Sequence, residues 1–156
     1  MAIYSLNTVQ RIPDSLSTVW DFFSSPGNLP LITPPSMNFR ITSRPWDGKV
    51  YAGQIIEYKV NPLPFWTAYW MTEITHLKEG SYFVDEQRFG PYSLWHHQHH
   101  FKEIPGGVEM TDIVHYKNPF WWIGDLANTL FVKKQLEEVF SYRNKKVEER
   151  FGKWGQ

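Results

Sequence analysis

The chain has 156 residues, no cysteine, and sixteen basic residues balanced by sixteen acidic ones. This length suits a single domain with a sizeable core, and we expect residues 1–156 to form it. The lack of cysteine excludes disulfides, thiolate nucleophiles and zinc–thiolate sites, while the balanced charge argues against a nucleic-acid partner.

The first part of the chain predicts one strand and two short helices. Residues 2–12 are extended in character, and Asp14 or Ser15 is a suitable N-cap for a helix that follows. The Pro-Gly pair at 26–27 should end that helix, and residues 28–33 should add one or two helical turns. The first residues lack the pattern of a signal peptide, and no apolar stretch approaches the roughly 20 residues of a membrane span. We therefore expect a cytoplasmic protein with no integral membrane segment.

Six further strands are predicted, separated by short turns rich in proline and glycine. They are expected at residues 37–43, 54–60, 66–76, 82–88, 93–103 and 108–117. Connections this short indicate an antiparallel meander.

After Pro119 the pattern is helical to about residue 151, with an apolar stripe that changes side near Val132. We expect a short helix or kink followed by a long helix. The basic residues of this region are interleaved with acidic ones and predict a solvated helix face; they are Arg143, Lys145, Lys146, Arg150 and Lys153.

This order of elements predicts an α+β fold. A seven-stranded antiparallel curved sheet with one apolar face needs a cover, and a long C-terminal helix can supply it. A helix of about 20–30 residues is roughly 30–45 Å long and can lie across such a sheet. The sheet would then grip the helix and leave a hollow between them, with two short helices after the first strand.

The run from Trp95 to Phe101 carries the strongest indication of function. Strand alternation sends Trp95, His97, His99 and Phe101 to one face, and His96, Gln98 and His100 to the other. An apolar wall with ionisable groups is typical of a small-molecule cavity. The aromatic share of 17%, with eight tryptophans, is also more than a core of this size needs.

Turn lengths predict which residues are paired across the sheet. A four-residue turn at 104–107 joins the strands predicted at 93–103 and 108–117. It pairs them as Phe101–Met110, His99–Asp112, His97–Val114 and Trp95–Tyr116. On the other face the same register sets Lys102 opposite Glu109, a favourable charge pair. A loop at 88–92 should pair the preceding strands as Gln87–Ser93, Asp85–Trp95 and Phe83–His97. Asp85 would then lie diagonal to His97.

The inner face gives the candidate ligand-binding residues. They are Tyr58, Trp70, Asp85, Gln87, Trp95, His97, His99 and Tyr116. Three interpretations of the polar members remain open. The pair His99–Asp112 could fix strand register, or it could act as a catalytic acid–base couple. Two histidines with Asp112 or Asp85 could instead hold a metal ion, although strands carry such pairs by chance, and we predict no cofactor.

Two aromatic segments could form a cavity mouth or a lip that touches membrane. They are Phe120-Trp121-Trp122 and the tip at residues 62–66. We expect most of these side chains to pack the start of the last helix onto the sheet edge.

Several motifs resemble those of a known superfamily. They are Val19-Trp20-Asp21-Phe22-Phe23, Asn28-Leu29, Thr33-Pro34-Pro35, Phe83-Val84-Asp85-Glu86-Gln87, Gly90-Pro91-Tyr92, the run from Trp95 to Phe101, Met110-Thr111-Asp112, Val114-His115-Tyr116 and Phe140-Ser141-Tyr142-Arg143. Over nearly its whole length the chain resembles the START-like, pollen-allergen-like helix-grip superfamily (SRPBCC), in particular its polyketide cyclase/dehydrase-like branch of bacterial proteins.

The resemblance implies a hydrophobic cavity under the C-terminal helix that holds lipids, sterols, polyketides or other apolar molecules. Some members bind or transfer such ligands, and others are cyclases, dehydratases or hydrolases. No catalytic motif carries over residue by residue. We therefore expect a ligand-binding protein, with a cyclase/dehydratase-type enzyme using His99–Asp112 as the alternative. The expected partner is an apolar or aromatic small molecule, and a weak homodimer is left open.

Overall fold

The computed structural model describes residues 2–44, 48–63, 65–118 and 131–155. Its strands are β1 (Tyr4–Ile12), β2 (Arg40–Ile41), β3 (Ile55–Leu63), β4 (Trp66–Lys78), β5 (Tyr82–Phe89), β6 (Leu94–Ile104) and β7 (Gly107–Lys117). Its helices are α1 (Leu16–Phe23), two short 3₁₀ helices (Pro26–Ile32 and Pro35–Met37) and α2 (Lys133–Phe151). The predicted α+β architecture, a curved antiparallel sheet with a long C-terminal helix, is confirmed.

The seven strands form one sheet in the order β1-β7-β6-β5-β4-β3-β2, and every neighbouring pair is antiparallel. The meander from β2 to β7 follows chain order, and β1 adds to its last strand. The side-chain amide of Gln10 on β1 donates to the backbone carbonyl of Asn144 on α2. This bond helps to hold the helix against the sheet.

Helix α1 begins where the sequence predicts. Ser15 is the N-cap, and its hydroxyl accepts a hydrogen bond from the Thr18 backbone amide. The helix ends at Phe23, and the Pro26–Ile32 segment then forms a 3₁₀ helix that contains a second proline, Pro30. Proline lacks the backbone donor that a continued α-helix would need.

The predicted strand at residues 37–43 is wrong at its start. Pro35–Met37 forms a 3₁₀ turn, and Asn38 closes it in the left-handed conformation with φ of 44°. Only Arg40–Ile41 pairs with β3 as strand. The predicted short helix or kink before Val132, and Phe120-Trp121-Trp122 within it, lie outside the described residues.

Most of the buried apolar side chains that the structure describes belong to two clusters. One surrounds Trp20 of α1 and includes Phe83 and Phe101 of the sheet. The other joins Val114 and Tyr116 of β7 to Leu136 and Phe140 of α2. The two inward histidines of β6 each contact one cluster. His99 stacks on Phe83 with 4.2 Å between ring centroids, and the ring of His97 lies 5.7 Å from that of Phe140.

Across the described parts of the chain, no helix is long and apolar enough to cross a membrane.

Gly107 allows β1 and β7 to approach each other. A Cβ at this position would lie 2.1 Å from the Ile12 carbonyl oxygen, so Gly107→Ala must push the strands apart. We expect this substitution to lower the free energy of unfolding by at least about 1 kcal/mol. Urea denaturation measures the loss, and Gly27→Ala is the control, because a Cβ there meets nothing within 4 Å. Equal stability of the two variants would contradict the proposed close approach.

Candidate functional site

The β6–β7 register agrees with the sequence prediction at every predicted pair. His99 lies opposite Asp112, Trp95 opposite Tyr116, and Lys102 opposite Glu109 on the outer face. His97 and His99 consequently point inward and are only 6% and 4% exposed. The central geometrical prediction, that these imidazoles face the interior, is confirmed.

The predicted β5–β6 register is wrong by two residues. Asp85 lies opposite His97 and Phe83 opposite His99, and the described pairing ends at Glu86 with His96. An even shift preserves the faces, so Asp85 remains inward. It now lies directly opposite His97 instead of diagonal to it.

Gln87 explains this shift. Its side-chain amide donates to the Tyr92 carbonyl at 2.6 Å, and its amide oxygen accepts from the Tyr92 backbone N–H at 3.2 Å. The side chain thus supplies the two bonds that a paired strand residue would make. The loop between the last paired residues of β5 and β6, Glu86 and His96, is therefore longer than its turn residues predict.

Each inward imidazole lies between two carboxylates. Nδ1 of His97 is 3.4 Å from Asp85, and its Nε2 is 3.1 Å from Asp112. Nε2 of His99 is 2.9 Å from Asp85, and its Nδ1 is 2.8 Å from Asp112, where the angle is too bent for a regular hydrogen bond. Three adjacent strands therefore bring four ionisable groups into one buried cluster.

Arg143 of α2 completes the cluster. Its Nη2 lies 3.9 Å from Asp112, and its guanidinium lies over the rings of Phe23 and Phe140. The prediction that this residue belongs to a solvated helix face is wrong, because it is only 9% exposed. Its helical position could have revealed this, since it falls three residues after Phe140 and four before Val147 on the buried stripe.

The pKa directions follow from burial and the neighbouring charges. Burial alone would raise the pKa of both carboxyls, but Arg143 and the imidazoles hold that of Asp112 well below its ordinary value. His97 and His99 likewise lower the pKa of Asp85. Burial opposes the charged form of His99, yet its two carboxylate partners raise its pKa, whereas burial and the neighbouring His99 lower that of His97.

The shifts favour ionised carboxylates beside Arg143, and of the two imidazoles they favour the charged form of His99 over that of His97. A buried ion pair is tolerated when each charge has a partner and a hydrogen bond. Because the two rings lie 3.8 Å apart, their titrations are coupled.

A cavity of about 180 Å³ opens beside this cluster, between the sheet, α1, the first 3₁₀ helix and α2. Six of the predicted ligand-binding residues line it: Tyr58, Trp70, Asp85, Trp95, His97 and His99. The remaining wall is mainly apolar. Thr72 also lines the cavity, and so does Arg143, which the sequence analysis did not select as a ligand contact.

Three other predicted residues lie outside the cavity lining. Gln87 uses its side chain on the Tyr92 backbone, as described above. Tyr116 is 2% exposed and packs behind the wall against Tyr92 and Trp95. Asp112 lies behind the two imidazoles. Direct ligand contact by Gln87 and Tyr116, and catalytic contact by Asp112, therefore have no geometrical support.

The aromatic wall contains an unused hydrogen-bond donor. Trp70 stacks on Tyr58 and meets Trp95 edge to face. Its buried indole Nε1 has no hydrogen-bond partner among the described residues. The Tyr58 hydroxyl, by contrast, is paired with Thr72 at 2.8 Å, and burial raises its pKa.

The β3–β4 tip differs from the expected packing. Phe65 is fully exposed and Trp66 is 48% exposed, so neither packs the helix start onto the sheet. Pro62 is buried, and its carbonyl accepts a hydrogen bond from Gln135 of α2. The tip thus joins the helix through its backbone and leaves its aromatic rings outside.

Solved structures of three proteins share this architecture. The Thermus thermophilus protein TTHA0849 has a TM-score of 0.74 at 15% identity, covering 95% of this chain and 97% of that one. A Mycobacterium smegmatis START superfamily protein has a TM-score of 0.70 at 15% identity, covering 94% and 96%. The Panax ginseng major latex-like protein 151 has a TM-score of 0.68 at 13% identity, covering 96% and 97%.

Identities this low show the fold and nothing more. The helix-grip fold that the sequence resemblance implies is confirmed. No protein-family model and no curated protein matches the sequence.

The first prediction from the cluster concerns Asp112→Asn. Removing this buried charge leaves Arg143 and His99 without their shared partner, and we expect a loss of about 3–5 kcal/mol in the free energy of unfolding. Glu109→Gln on the same strand is the control, because its ion pair with Arg11 is exposed and should contribute at most about 1 kcal/mol. Urea denaturation of both variants makes the comparison, and a loss for Asp112→Asn no larger than the control would contradict the cluster.

The second prediction concerns pH. Side-chain ¹⁵N NMR in a pH titration, with a chelator present, should show that His99 loses its proton at a higher pH than His97 does. The folded pKa of His99 lies above its ordinary value of 6.5. Its stabilising contribution is therefore complete below about pH 6.5 and is lost as pH rises through the folded pKa. A neutral His99 beside a charged His97 would refute this assignment.

Proposed function

We propose that this protein, which has the helix-grip fold, binds an apolar or aromatic small molecule of lipid or polyketide type in the cavity between its sheet and α2. The observation that carries the proposal is a mainly apolar cavity in which the charged and imidazole groups Asp85, His97, His99 and Arg143 lie together on one part of the wall. Ligand sites typically combine these two features, because apolar contact supplies affinity and a few polar groups fix orientation.

The size of the cavity limits the ligand. Its volume of about 180 Å³ exceeds that of an engineered apolar cavity of about 150 Å³ that holds benzene. It is smaller than the roughly 300–1,000 Å³ of many ligand pockets. A molecule of one or two rings fits without movement, whereas a larger one requires α2 or the β3–β4 tip to move.

The polar groups favour a ligand that carries an oxygen function. The unpaired Nε1–H of Trp70 is a donor, and an unsatisfied buried donor costs roughly 1–3 kcal/mol. A carbonyl or hydroxyl oxygen of the ligand would satisfy it if a small shift of the Trp70 ring exposed Nε1 to the cavity. Asp85 on the neighbouring wall offers a carboxylate acceptor.

Binding accounts for the geometry better than catalysis by a His99–Asp112 couple. Asp112 is engaged by two imidazoles and by Arg143, and it lies behind the cavity wall. Its position suits holding the rings in place. A proton-transfer reaction would have to use groups that line the cavity.

The test fills the cavity from the helix side. Val139 of α2 lines the cavity, whereas Glu137 two residues earlier is exposed. We expect the wild-type protein to bind 2-naphthol, a two-ring probe with one hydroxyl, in a 1:1 complex by isothermal titration calorimetry. Val139→Trp should weaken this binding at least tenfold, and Glu137→Trp should leave it within twofold of wild type.

A second measurement uses protein purified from its own host. Organic extraction followed by mass spectrometry should recover a small apolar molecule from the wild type and less of it from Val139→Trp. Repeatedly empty protein, together with 2-naphthol binding that Val139→Trp leaves unchanged, would overturn the proposal.

A further inference from the structure

We propose that Asp85, His97 and His99 form a binding site for one divalent transition-metal ion, Zn²⁺ or Fe²⁺, on the wall of the cavity. This site goes beyond the proposed binding of a small molecule. One donor atom from each of the three residues lies within 4.8 Å of the other two. Two imidazoles and one carboxylate are a donor set that suits these ions better than Mg²⁺ or Ca²⁺.

The distances between donor atoms are close to those of a metal site. Bonds of about 2.0–2.1 Å in tetrahedral geometry place neighbouring donors roughly 3.3 Å apart. Oδ2 of Asp85 lies 2.9 Å from Nε2 of His99 and 3.4 Å from Nδ1 of His97. Small side-chain rotations would therefore be enough to enclose an ion.

Asp112 supplies the orientation that metal-binding histidines usually have. Ligating imidazoles commonly donate their second nitrogen to a carboxylate, which fixes ring orientation and tautomer. Asp112 lies 3.1 Å from Nε2 of His97 and 2.8 Å from Nδ1 of His99, the two nitrogens that face away from Asp85. Asp112 thus hydrogen-bonds His97 and lies beside Nδ1 of His99, which a small side-chain rotation would bring into line, and Arg143 in turn contacts that carboxylate.

The site would be open on one side. All three ligand residues line the cavity, so an ion bound between them faces the space that the small molecule would occupy. Three protein ligands leave at least one coordination position for water or for an oxygen or nitrogen atom of that molecule, as in catalytic zinc sites.

The outer face of β6 provides a matched control. It carries His96 and His100, the same residue type on the same strand. These rings are joined through Gln98, and His96 contacts Glu86 at 3.0 Å. Within the described ranges, only the inner group brings three donor atoms together in this way.

The experiment titrates Zn²⁺ into tag-free protein that has been stripped with a chelator and holds no small molecule. We expect one ion per chain by calorimetry, and His97→Gln, His99→Gln and Asp85→Asn should each weaken binding at least a hundredfold. The outer-face variants His96→Gln and His100→Gln should stay within twofold of wild type. Asp112→Asn, which removes the orienting carboxylate, should weaken binding roughly 10–100-fold.

A measurement on the wild type guards against variants that fail to fold. Addition of one equivalent of Zn²⁺ should shift the side-chain ¹⁵N resonances of His97 and His99 and leave those of His96 and His100 in place. The proposal is overturned if Zn²⁺ shifts the outer pair instead, if it shifts neither pair, or if folded His97→Gln and Asp85→Asn bind as the wild type does.

Discussion

Two carboxylates, those of Asp85 and Asp112, lie on the inner face of this sheet, and the rest of the structure depends on how their negative charges are balanced. An unpaired carboxylate in an apolar interior is strongly unfavourable, so Asp85 and Asp112 must keep cations or hydrogen-bond donors beside them. β6 supplies the imidazole of His99 beside both carboxylates, and α2 supplies Arg143 beside Asp112. Because these partners come from different elements, both carboxylates are fully paired only when the sheet has closed and the helix has docked on it.

This requirement links the fold to the cavity. Arg143 must reach Asp112, which fixes one face of α2 against the sheet, while Gln10 holds the helix backbone from β1. The cluster also sets the polar part of the cavity wall, since aromatic clusters pack against both sides of the imidazoles. A ligand in the cavity therefore meets a mainly apolar surface with a single ionisable region, and burial strengthens electrostatic interactions in that region.

Sequence reasoning succeeded where a local rule governs the structure. Period-two alternation assigned the faces of β6, and the four-residue turn together with the Lys102–Glu109 pair fixed its register on β7. It failed to predict the β5–β6 register, because there the Gln87 side chain makes hydrogen bonds to the Tyr92 backbone that a neighbouring strand would otherwise make. Turn length cannot reveal such bonds. It also failed for Arg143, which was assigned to a solvated face because its neighbours in the sequence are charged. Its helical spacing from Phe140 and Val147 instead places it on the buried stripe.

The arrangement that balances these charges is also the one that would chelate a cation. Each ring nitrogen of His97 and His99 lies within 3.4 Å of a carboxylate oxygen, with Asp85 beside one nitrogen of each ring and Asp112 beside the other. Coordination requires neutral imidazoles, so an ion that binds here competes with protonation of His97 and His99. A divalent ion bound to Asp85 brings more positive charge than that one carboxylate balances, and an oxygen function of the bound molecule could offset the surplus. Binding of the small molecule and binding of the metal ion are then coupled through Asp85. Each would raise the affinity of the protein for the other by the same factor.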